Sequence, residues 1–290
     1  MVGLGPGNID YITKIGIESI KKCEIAIGGA RQLEEISSLL LLTCEKYTLG
    51  KLSDLIEFIN KNRDRKICII VSGDTGFYSL LSFLRKNYSR EELNVIPGIS
   101  SYQYLFSRIG EVWQDYKLLS VHGREAGYVE IFSKERGIVL LTDNVNTPYV
   151  IAKNIYEAGY RDVEIVVGER LSYPDEKITF INIEEYEKLN REFSMNIVIM
   201  EINKVEVILE KVKKELSLSS FILGIVLGGS RASGTANGNS DIDIGIYYDK
   251  DVDYNQLNLI AKKLDDNNRE NLICHEGEWG EWVNFGGWLQ

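Results

Sequence analysis

Short apolar runs alternate with segments of helical periodicity along the first two thirds of the chain. Residues 66–72 and 93–96 form β-rich runs, and each is followed by a segment with apolar residues at helical spacing, 77–86 and 100–109. A repeated strand-then-helix order is typical of a parallel sheet covered by helices. The first block of the chain is therefore predicted to be an α/β unit.

The alternation continues in a second block that opens with an apolar strand. Its predicted elements are a strand, a helix and two further strands, at 137–142, 148–158, 163–167 and 196–202. The boundary between the blocks is expected within 112–116. We therefore predict an N-terminal lobe of residues 1–114 and a second lobe of residues 115–203.

The last third of the chain has a different pattern. An amphipathic helix is predicted at 204–216, and two strands, 222–227 and 241–247, flank a Gly-Gly-Ser turn. These elements predict a smaller α/β unit at 204–290. The fold class expected for the chain is α/β, with two lobes of mainly parallel sheet followed by this partial domain.

Composition excludes several classes of protein. The 290 residues carry a net charge of −10, and neither part of the chain has a basic excess, so a nucleic-acid partner is not expected. The longest apolar run, within 37–43, is far shorter than the roughly 20 residues that span a bilayer, so a membrane partner is not expected either. The cysteines form no CxxC pair and are expected to be small buried side chains of a cytoplasmic protein: Cys23, Cys44, Cys68 and Cys274.

Three turns rich in small residues, at 3–7, 72–77 and 97–101, each follow a short apolar run. Glycine and proline let the backbone bend sharply, and ligands of open α/β sheets bind beyond the carboxyl ends of the strands. We therefore predict that the three turns converge on one crevice that binds a small molecule. Taken singly, Gly5 and Gly98 also suit left-handed turns in an unrelated α/β fold.

The flanks of these turns resemble the tetrapyrrole methylases, which transfer methyl groups from S-adenosylmethionine to the corrin ring during cobalamin synthesis. VGLGPGNIDYIT at 2–13 is similar to the opening motif of the family, and SGDTGFY at 72–78 to its second motif, with Thr75 where proline is usual. Further similar stretches are GGARQL, IPGISSYQYLFSRIG, WQD, VHGR and GERL, which begin at residues 28, 96, 113, 121 and 168. The similarity spans residues 1 to about 203 and is greatest to the branch that methylates carbon 5 of a cobalt-precorrin of the precorrin-7 type.

The resemblance implies two lobes with S-adenosylmethionine in the cleft between them, and a homodimer. It implies that the methyl donor contacts Pro6, Gly73, Asp74, Phe77, Ser100, Ser101, Leu141 and Thr142. A sulfonium methyl group is strongly electrophilic, so the site mainly has to position the reactants and exclude water. His122 is the candidate acid, base or hydrogen-bond donor, and the alternative is a histidine bonded at a strand end.

The resemblance also implies an anionic corrinoid substrate with many carboxylates, which an acidic protein has to receive through local cations. Guanidinium groups bind carboxylates in a bidentate manner, although each arginine also suits a surface salt bridge. Gly5 and Gly7, which would line the floor where the ring arrives, complete the candidate set with Arg31, Arg108, Arg124 and Arg170.

The Gly-Gly-Ser turn and the acidic residues that follow it resemble the nucleotidyltransferase superfamily with a polymerase-β-like core. Alternate residues of a strand face the same side, so Asp241 and Asp243 are expected to hold Mg²⁺, while Gly229, Ser230 and Arg231 would contact nucleotide phosphates. The alternative is a Gly-Ser hairpin before an acidic strand. The superfamily adds a third carboxylate, and Glu276, Glu278 and Glu281 lie in a glycine-rich stretch.

We interpret this domain as an incomplete, inactive fragment, which a fusion of two genes or a frameshifted or truncated reading frame would explain. Either the first domain tolerates a short first strand, or the reading frame begins a few residues upstream of Met1. Three functions remain open from the sequence. The first is S-adenosylmethionine-dependent methyl transfer to carbon 5 of a cobalt-precorrin. The second is a Mg-dependent nucleotidyltransferase with a regulatory N-terminal part, and the third is a non-catalytic sensor of a tetrapyrrole or of the methyl donor.

Overall fold

The chain divides into two compact units, Met1–Glu201 and Ile202–Gln290. The computed structural model describes residues 1–123, 126–202, 204–233, 242–249, 252–265, 267–270 and 272–273, without the side chains of 204–207. Strands and helices alternate in both units, so the predicted α/β class is confirmed. The finer limits that we give for the two lobes and the partial domain stay predictions.

The first unit opens with a sheet of four strands in the order β1-β4-β2-β3, and its three pairings are all parallel. The strands are β1 Val2–Gly3, β2 Ile25–Gly28, β3 Glu45–Thr48 and β4 Ile67–Val71. Alternate residues of β2 and β4 enter two separate core clusters, so the centre of the sheet is buried on both faces.

Two elements predicted for this block are shorter in the structure. The strand expected at 93–96 is wrong, because only Ile96 forms a bridge, parallel to Val2. Pro97 follows and has no N–H to extend the ladder. The helix expected at 77–86 is reduced to α4, Leu81–Leu84, because Tyr78 has a left-handed φ of 46° that an α-helix excludes.

Helices α1 to α3 cover the first sheet and occupy Lys14–Lys21, Ala30–Glu35 and Leu52–Lys61. Helix α5, Ser101–Ile109, begins immediately after the third glycine turn, where Ser100 and Gln103 form a capping box. It ends at Gly110, which has a φ of 74°. The buried face of α5 shares a core cluster with residues of the next sheet, so this helix connects the third turn to the second sheet.

The second sheet has five strands in the order β5-β6-β9-β7-β8. They are β5 Tyr116–Ser120, β6 Gly137–Leu141, β7 Val163–Glu169, β8 Lys177–Asn182 and β9 Asn196–Ile202, with helices α6 Tyr128–Phe132 and α7 Pro148–Glu157 between them. The β5–β6 pair is parallel, whereas β6–β9 and β7–β8 are antiparallel. The strand-helix rhythm did not predict these antiparallel pairs. Only residues 170–176 join β7 to β8, which is too short for the crossover that a parallel pair needs.

The second unit contains helix α8 Lys204–Leu216, strand β10 Ile222–Leu227, the short helix α9 Gly229–Ala232, strand β11 Ile244–Tyr248 and helix α10 Tyr254–Leu264. The two strands pair antiparallel, and α8 and α10 share a small core with them. The strand predicted at 241–247 begins at Ile244, and Asp241 lies outside the described residues. No helix in the described part of the chain is long and apolar enough to cross a membrane.

Candidate active site

The three glycine turns meet through their backbones, as the sequence predicts. Gly5 and Gly73 exchange two hydrogen bonds, with N···O distances of 3.2 Å and 2.8 Å. A Cβ added to Gly98 would lie 2.3 Å from the Gly73 carbonyl oxygen, and one added to Gly3 would lie 2.6 Å from the same atom. No side chain fits between these segments, so glycine is required where they cross.

Asp74 holds the second and third turns together. Its Oδ1 accepts a hydrogen bond from the Gly76 N–H at 2.7 Å, and its Oδ2 accepts one from the Gly98 N–H at 3.2 Å. An ionised carboxylate has about four lone-pair positions, so acceptor capacity remains for a ligand. The Asp74 carboxylate therefore links the second turn to the third.

The space above Gly73 is open. Gly73 has a φ of 64°, and a Cβ added there would meet only the Cα of Ser100, at 3.8 Å. Ser100 is buried and precedes Ser101, the first residue of α5. Phe77 packs edge-on against Tyr102 with ring centroids 4.9 Å apart. Four of the residues predicted for the methyl donor, Gly73, Phe77, Ser100 and Ser101, thus lie within the second and third turns.

The ends of β5 and β6 carry three further predicted residues, His122, Leu141 and Thr142. The Nδ1 of His122 lies 3.0 Å from the carbonyl oxygen of Thr142, and the Thr142 hydroxyl lies 2.7 Å from the Asn196 Oδ1. Leu141 is the last residue of β6 and pairs with Ile197. His122 therefore has a backbone partner at a strand end, and its catalytic role stays a prediction.

Asp143, which our sequence analysis missed, organises this edge. Its carboxylate accepts hydrogen bonds from the backbone N–H groups of Gly123 at 2.8 Å and of Asn146 at 2.6 Å. These bonds lower the pKa of Asp143 to about 2. The sequence Asp-Asn-Val-Asn-Thr-Pro at 143–148 is a pattern typical of an Asx turn, and it could have revealed this role.

Tyr173 reaches from the 170–176 loop to the first glycine turn. A Cβ added to Gly7 would lie 2.2 Å from the Tyr173 ring. The Tyr173 hydroxyl donates to Glu35 and accepts a hydrogen bond from Arg31 at 2.7 Å. Arg31 also donates to the Ser72 hydroxyl at 2.8 Å. This cluster joins α2, the end of β4 and the 170–176 loop, and neither Tyr173 nor Glu35 was predicted.

The backbone of the 170–176 loop is strained on the amino-terminal side of Tyr173. Arg170 and Ser172 have left-handed φ values of 46° and 68°, which non-glycine residues rarely adopt. The Ser172 hydroxyl accepts a hydrogen bond from the Asn8 N–H at 2.9 Å. The loop therefore keeps an unfavourable conformation in contact with the first turn.

The arginines predicted to receive substrate carboxylates have carboxylate partners within the chain. Arg31 pairs with Glu35 at 2.7 Å, Arg108 with Glu176 at 2.8 Å, and Arg170 with Asp175 at 2.5 Å. Arg124 lies outside the described residues. Of the three described arginines, Arg31 lies beside the glycine turns through its contact with Ser72.

Three cysteines come together at the opposite, amino end of the first sheet. The Sγ atoms of Cys23 and Cys44 are 3.6 Å apart, and Cys23 and Cys68 lie in the same buried cluster. Burial raises the pKa of the Cys44 thiol to about 11. A cavity of about 330 Å³ beside Met1 lies at this end. Because ligands of parallel sheets bind at the carboxyl ends of strands, we place the active site at the glycine turns instead.

In the second unit, the Gly-Gly-Ser turn packs against Asp243. The Gly228 N–H donates to the Asp243 carbonyl oxygen at 2.7 Å, and Gly229 has a φ of 58° with the Asp243 carboxylate directly above its Cα. Ser230 and Arg231 lie in α9. Among the described residues, no three His, Cys, Asp or Glu side chains are placed to hold a metal ion. The remaining acids of this prediction lie outside the described residues, and the Mg²⁺ site stays a prediction: Asp241, Glu276, Glu278 and Glu281.

Comparison with known proteins gives two family matches. The family described as tetrapyrrole (corrin/porphyrin) methylases matches residues 1–187, and the nucleotidyltransferase domain matches residues 205–281. The cobalt-precorrin-7 C(5)-methyltransferase of Salmonella typhimurium is 29% identical over 201 residues, which cover 69% of this chain and 96% of that protein. The probable cobalt-precorrin-7 C(5)-methyltransferase of Methanocaldococcus jannaschii is 31% identical over 193 residues, which cover 64% of this chain and 89% of that protein.

Solved structures share the fold of the first unit. The match to a cobalt precorrin-4 methyltransferase has a TM-score of 0.60 at 16% identity and covers 69% of this chain and 92% of that protein. The uroporphyrin-III C-methyltransferase of Thermus thermophilus, complexed with S-adenosyl homocysteine, has a TM-score of 0.56 at 20% identity and covers 71% and 97%. With a family match over 187 of its 290 residues, the chain belongs to the tetrapyrrole (corrin/porphyrin) methylases.

Proposed function

We propose that this protein transfers a methyl group from S-adenosylmethionine to carbon 5 of a cobalt-precorrin of the precorrin-7 type in cobalamin biosynthesis. The observation that carries the proposal is the similarity to two proteins named for this reaction, which the chain covers over 96% and 89% of their lengths. The crossing of the three glycine turns supports it, because a small-molecule site is expected where these strand ends meet.

S-adenosylmethionine would lie in the opening above Gly73. The fit is supported by the free space at its Cα, by the remaining acceptor capacity of Asp74 and by the first turn of α5 at Ser101. Phe77 offers an aromatic wall on one side. We assign the donor contacts to the residues predicted from the sequence: Pro6, Gly73, Asp74, Phe77, Ser100, Ser101, Leu141 and Thr142.

When bound, S-adenosylmethionine would supply an electrophilic methyl group to a nucleophilic ring carbon and would leave as S-adenosylhomocysteine. The contribution of the chain is to position the donor and the acceptor. The backbone crossing of Gly3, Gly73 and Gly98 holds the turns in one geometry, and such preorganisation lowers a barrier by several kcal/mol, up to about 7–11 kcal/mol in favourable cases. The Tyr173 ring, whose hydroxyl contacts Arg31 and Glu35, covers Gly7 of the first turn. We assign no general base.

Calorimetry and product analysis on the full chain test the proposal. We expect S-adenosylmethionine to release heat on binding, and cobalt-precorrin-7 to gain one methyl group, which NMR locates at carbon 5. Asp74→Asn should weaken donor binding about 10- to 100-fold, because a hydrogen bond to a charged group contributes about 1.5–3 kcal/mol. Asp64→Asn removes an exposed carboxylate between α3 and β4, outside the glycine turns, and should bind normally.

Three outcomes would contradict the proposal in different ways. If S-adenosylmethionine releases no heat, the donor assignment fails. Binding without any methylated product would favour the sensor function. A product methylated at another carbon would keep the family activity and reject the position that we assign.

A further inference from the structure

The ion pair between Arg31 and Glu35 is one that helix α2 does not favour. Arg31 lies in the first turn of α2 and Glu35 is its last residue, whereas the helix dipole favours acids at the start and bases at the end. An acid that precedes a base by four residues also stabilises a helix better than the reverse order found here. Helix stability therefore does not explain why these two charges are paired.

The pair lies beside the first and second glycine turns. One Arg31 nitrogen, Nη1, contacts Glu35 and the Tyr173 hydroxyl, each at 2.7 Å, and Nη2 contacts the Ser72 hydroxyl at 2.8 Å. Ser72 directly precedes Gly73 of the second turn, and the Tyr173 ring covers Gly7 of the first. The guanidinium group is thus held beside two of the three turns.

The two charges differ in their access to solvent. The Arg31 side chain is 41% exposed and that of Glu35 only 17%. An arriving ligand can therefore reach the guanidinium group from outside while Glu35 remains on the inner side. Ion pairs at exposed sites contribute about 0–1 kcal/mol, so exchanging one carboxylate partner for another requires little free energy.

We propose that Arg31 is the receptor for a carboxylate of the acceptor ring and that Glu35 holds this receptor position until the acceptor binds. The inference rests on the proposed function, because a corrinoid acceptor of that class carries several carboxylates. The incoming carboxylate replaces Glu35 on Nη1, and Ser72 keeps Nη2 in place. Burial and the nearby Glu35 raise the pKa of Tyr173, so its phenol stays protonated and donates to either carboxylate.

The test is a fluorescence titration of the full chain with uroporphyrin III, a tetrapyrrole that carries only carboxylate side chains. Glu35→Gln keeps the shape and an acceptor oxygen but removes the competing charge, and it should bind about three- to tenfold more tightly. Arg31→Gln should bind about tenfold more weakly. Glu34→Gln, on the same helix but exposed, makes the same change in net charge and should bind as the wild type does.

The methyl ester of uroporphyrin lacks the carboxylate charges, so it should bind to the wild type and to the three variants with equal affinity. The inference is overturned if Glu35→Gln binds no more tightly than Glu34→Gln, if Arg31→Gln binds like the wild type, or if no protein binds uroporphyrin III. Calorimetry with S-adenosylmethionine on the same preparations distinguishes a failure of this inference from a failure of the proposed function. Normal donor binding without an effect of Glu35 rejects only this inference, whereas no donor binding rejects the proposed function.

Discussion

Replacing Gly98 by alanine should separate the three glycine turns. The added Cβ would lie 2.3 Å from the Gly73 carbonyl oxygen and 2.8 Å from the Gly3 carbonyl oxygen. Ordinary van der Waals contact begins at 3.4 Å, so one backbone segment has to move by about 1 Å. Because both obstacles are backbone atoms, no side-chain rotation relieves the clash.

Overpacking of this kind costs about 1–3 kcal/mol, and two backbone obstacles place Gly98→Ala near the upper limit. For a unit of this size, about 3 kcal/mol lowers Tm by roughly 6–12 °C. Differential scanning calorimetry measures the shift, and titration with S-adenosylmethionine measures the accompanying loss of affinity.

Gly50→Ala is the matched control. A Cβ added to Gly50 meets no atom within 4 Å, and neither Gly50 nor Gly98 has a left-handed φ. The control should be unchanged or stabilised by about 0.4–1 kcal/mol, since alanine restricts the unfolded chain. If Gly98→Ala unfolds at the same temperature as Gly50→Ala, the crossing of the turns does not have the tight geometry described above.

Three further predictions follow from the described contacts. Arg191→Met leaves buried Glu169 without its bidentate partner and should destabilise the chain by about 2 kcal/mol in guanidinium unfolding. Lys61→Met removes an exposed pair and should leave the unfolding midpoint unchanged. The pKa of Asp143 is lowered to about 2, so its contribution to folding stability is present above about pH 4 and is lost as the pH falls towards 2. Asp143→Asn should therefore make stability less dependent on pH between 4 and 2, and should lower stability at pH 7 by about 1 kcal/mol, a value discounted for exposure. Ser100→Ala and Thr147→Ala should each cost about 1 kcal/mol as lost helix caps, but calorimetry should show weaker donor binding only for Ser100→Ala.

The convergence of the turns was predictable because it follows from a general property of parallel sheets. The carboxyl ends of neighbouring parallel strands share one edge, so Gly5 and Gly73 had to lie close together once β1 and β4 were recognised. The loss of the strand at 93–96 and the break of the helix at Tyr78 were not predictable from periodicity, because one proline and one left-handed residue decide them.

The rim of the site was not predictable for a different reason. Tyr173 is separated from Arg31 by 142 residues, and only the antiparallel β7–β8 pair directs the 170–176 loop towards α2. Periodicity reports on neighbours along one element and contains no information about such a contact. The pairing of Arg31 with Glu35 was likewise hidden, because the helix alone disfavours it.

The contact between Asn8 and Ser172, 164 residues apart, has a consequence for synthesis of the chain. A ribosome has to produce and release more than half of the protein before the first glycine turn meets the loop that covers it. Contacts of such long sequence separation form slowly, after local helices and hairpins. We therefore expect a nascent chain to remain unable to bind ligand until residue 176 has emerged, and the crevice to be among the first regions to exchange amide hydrogens when the folded protein opens.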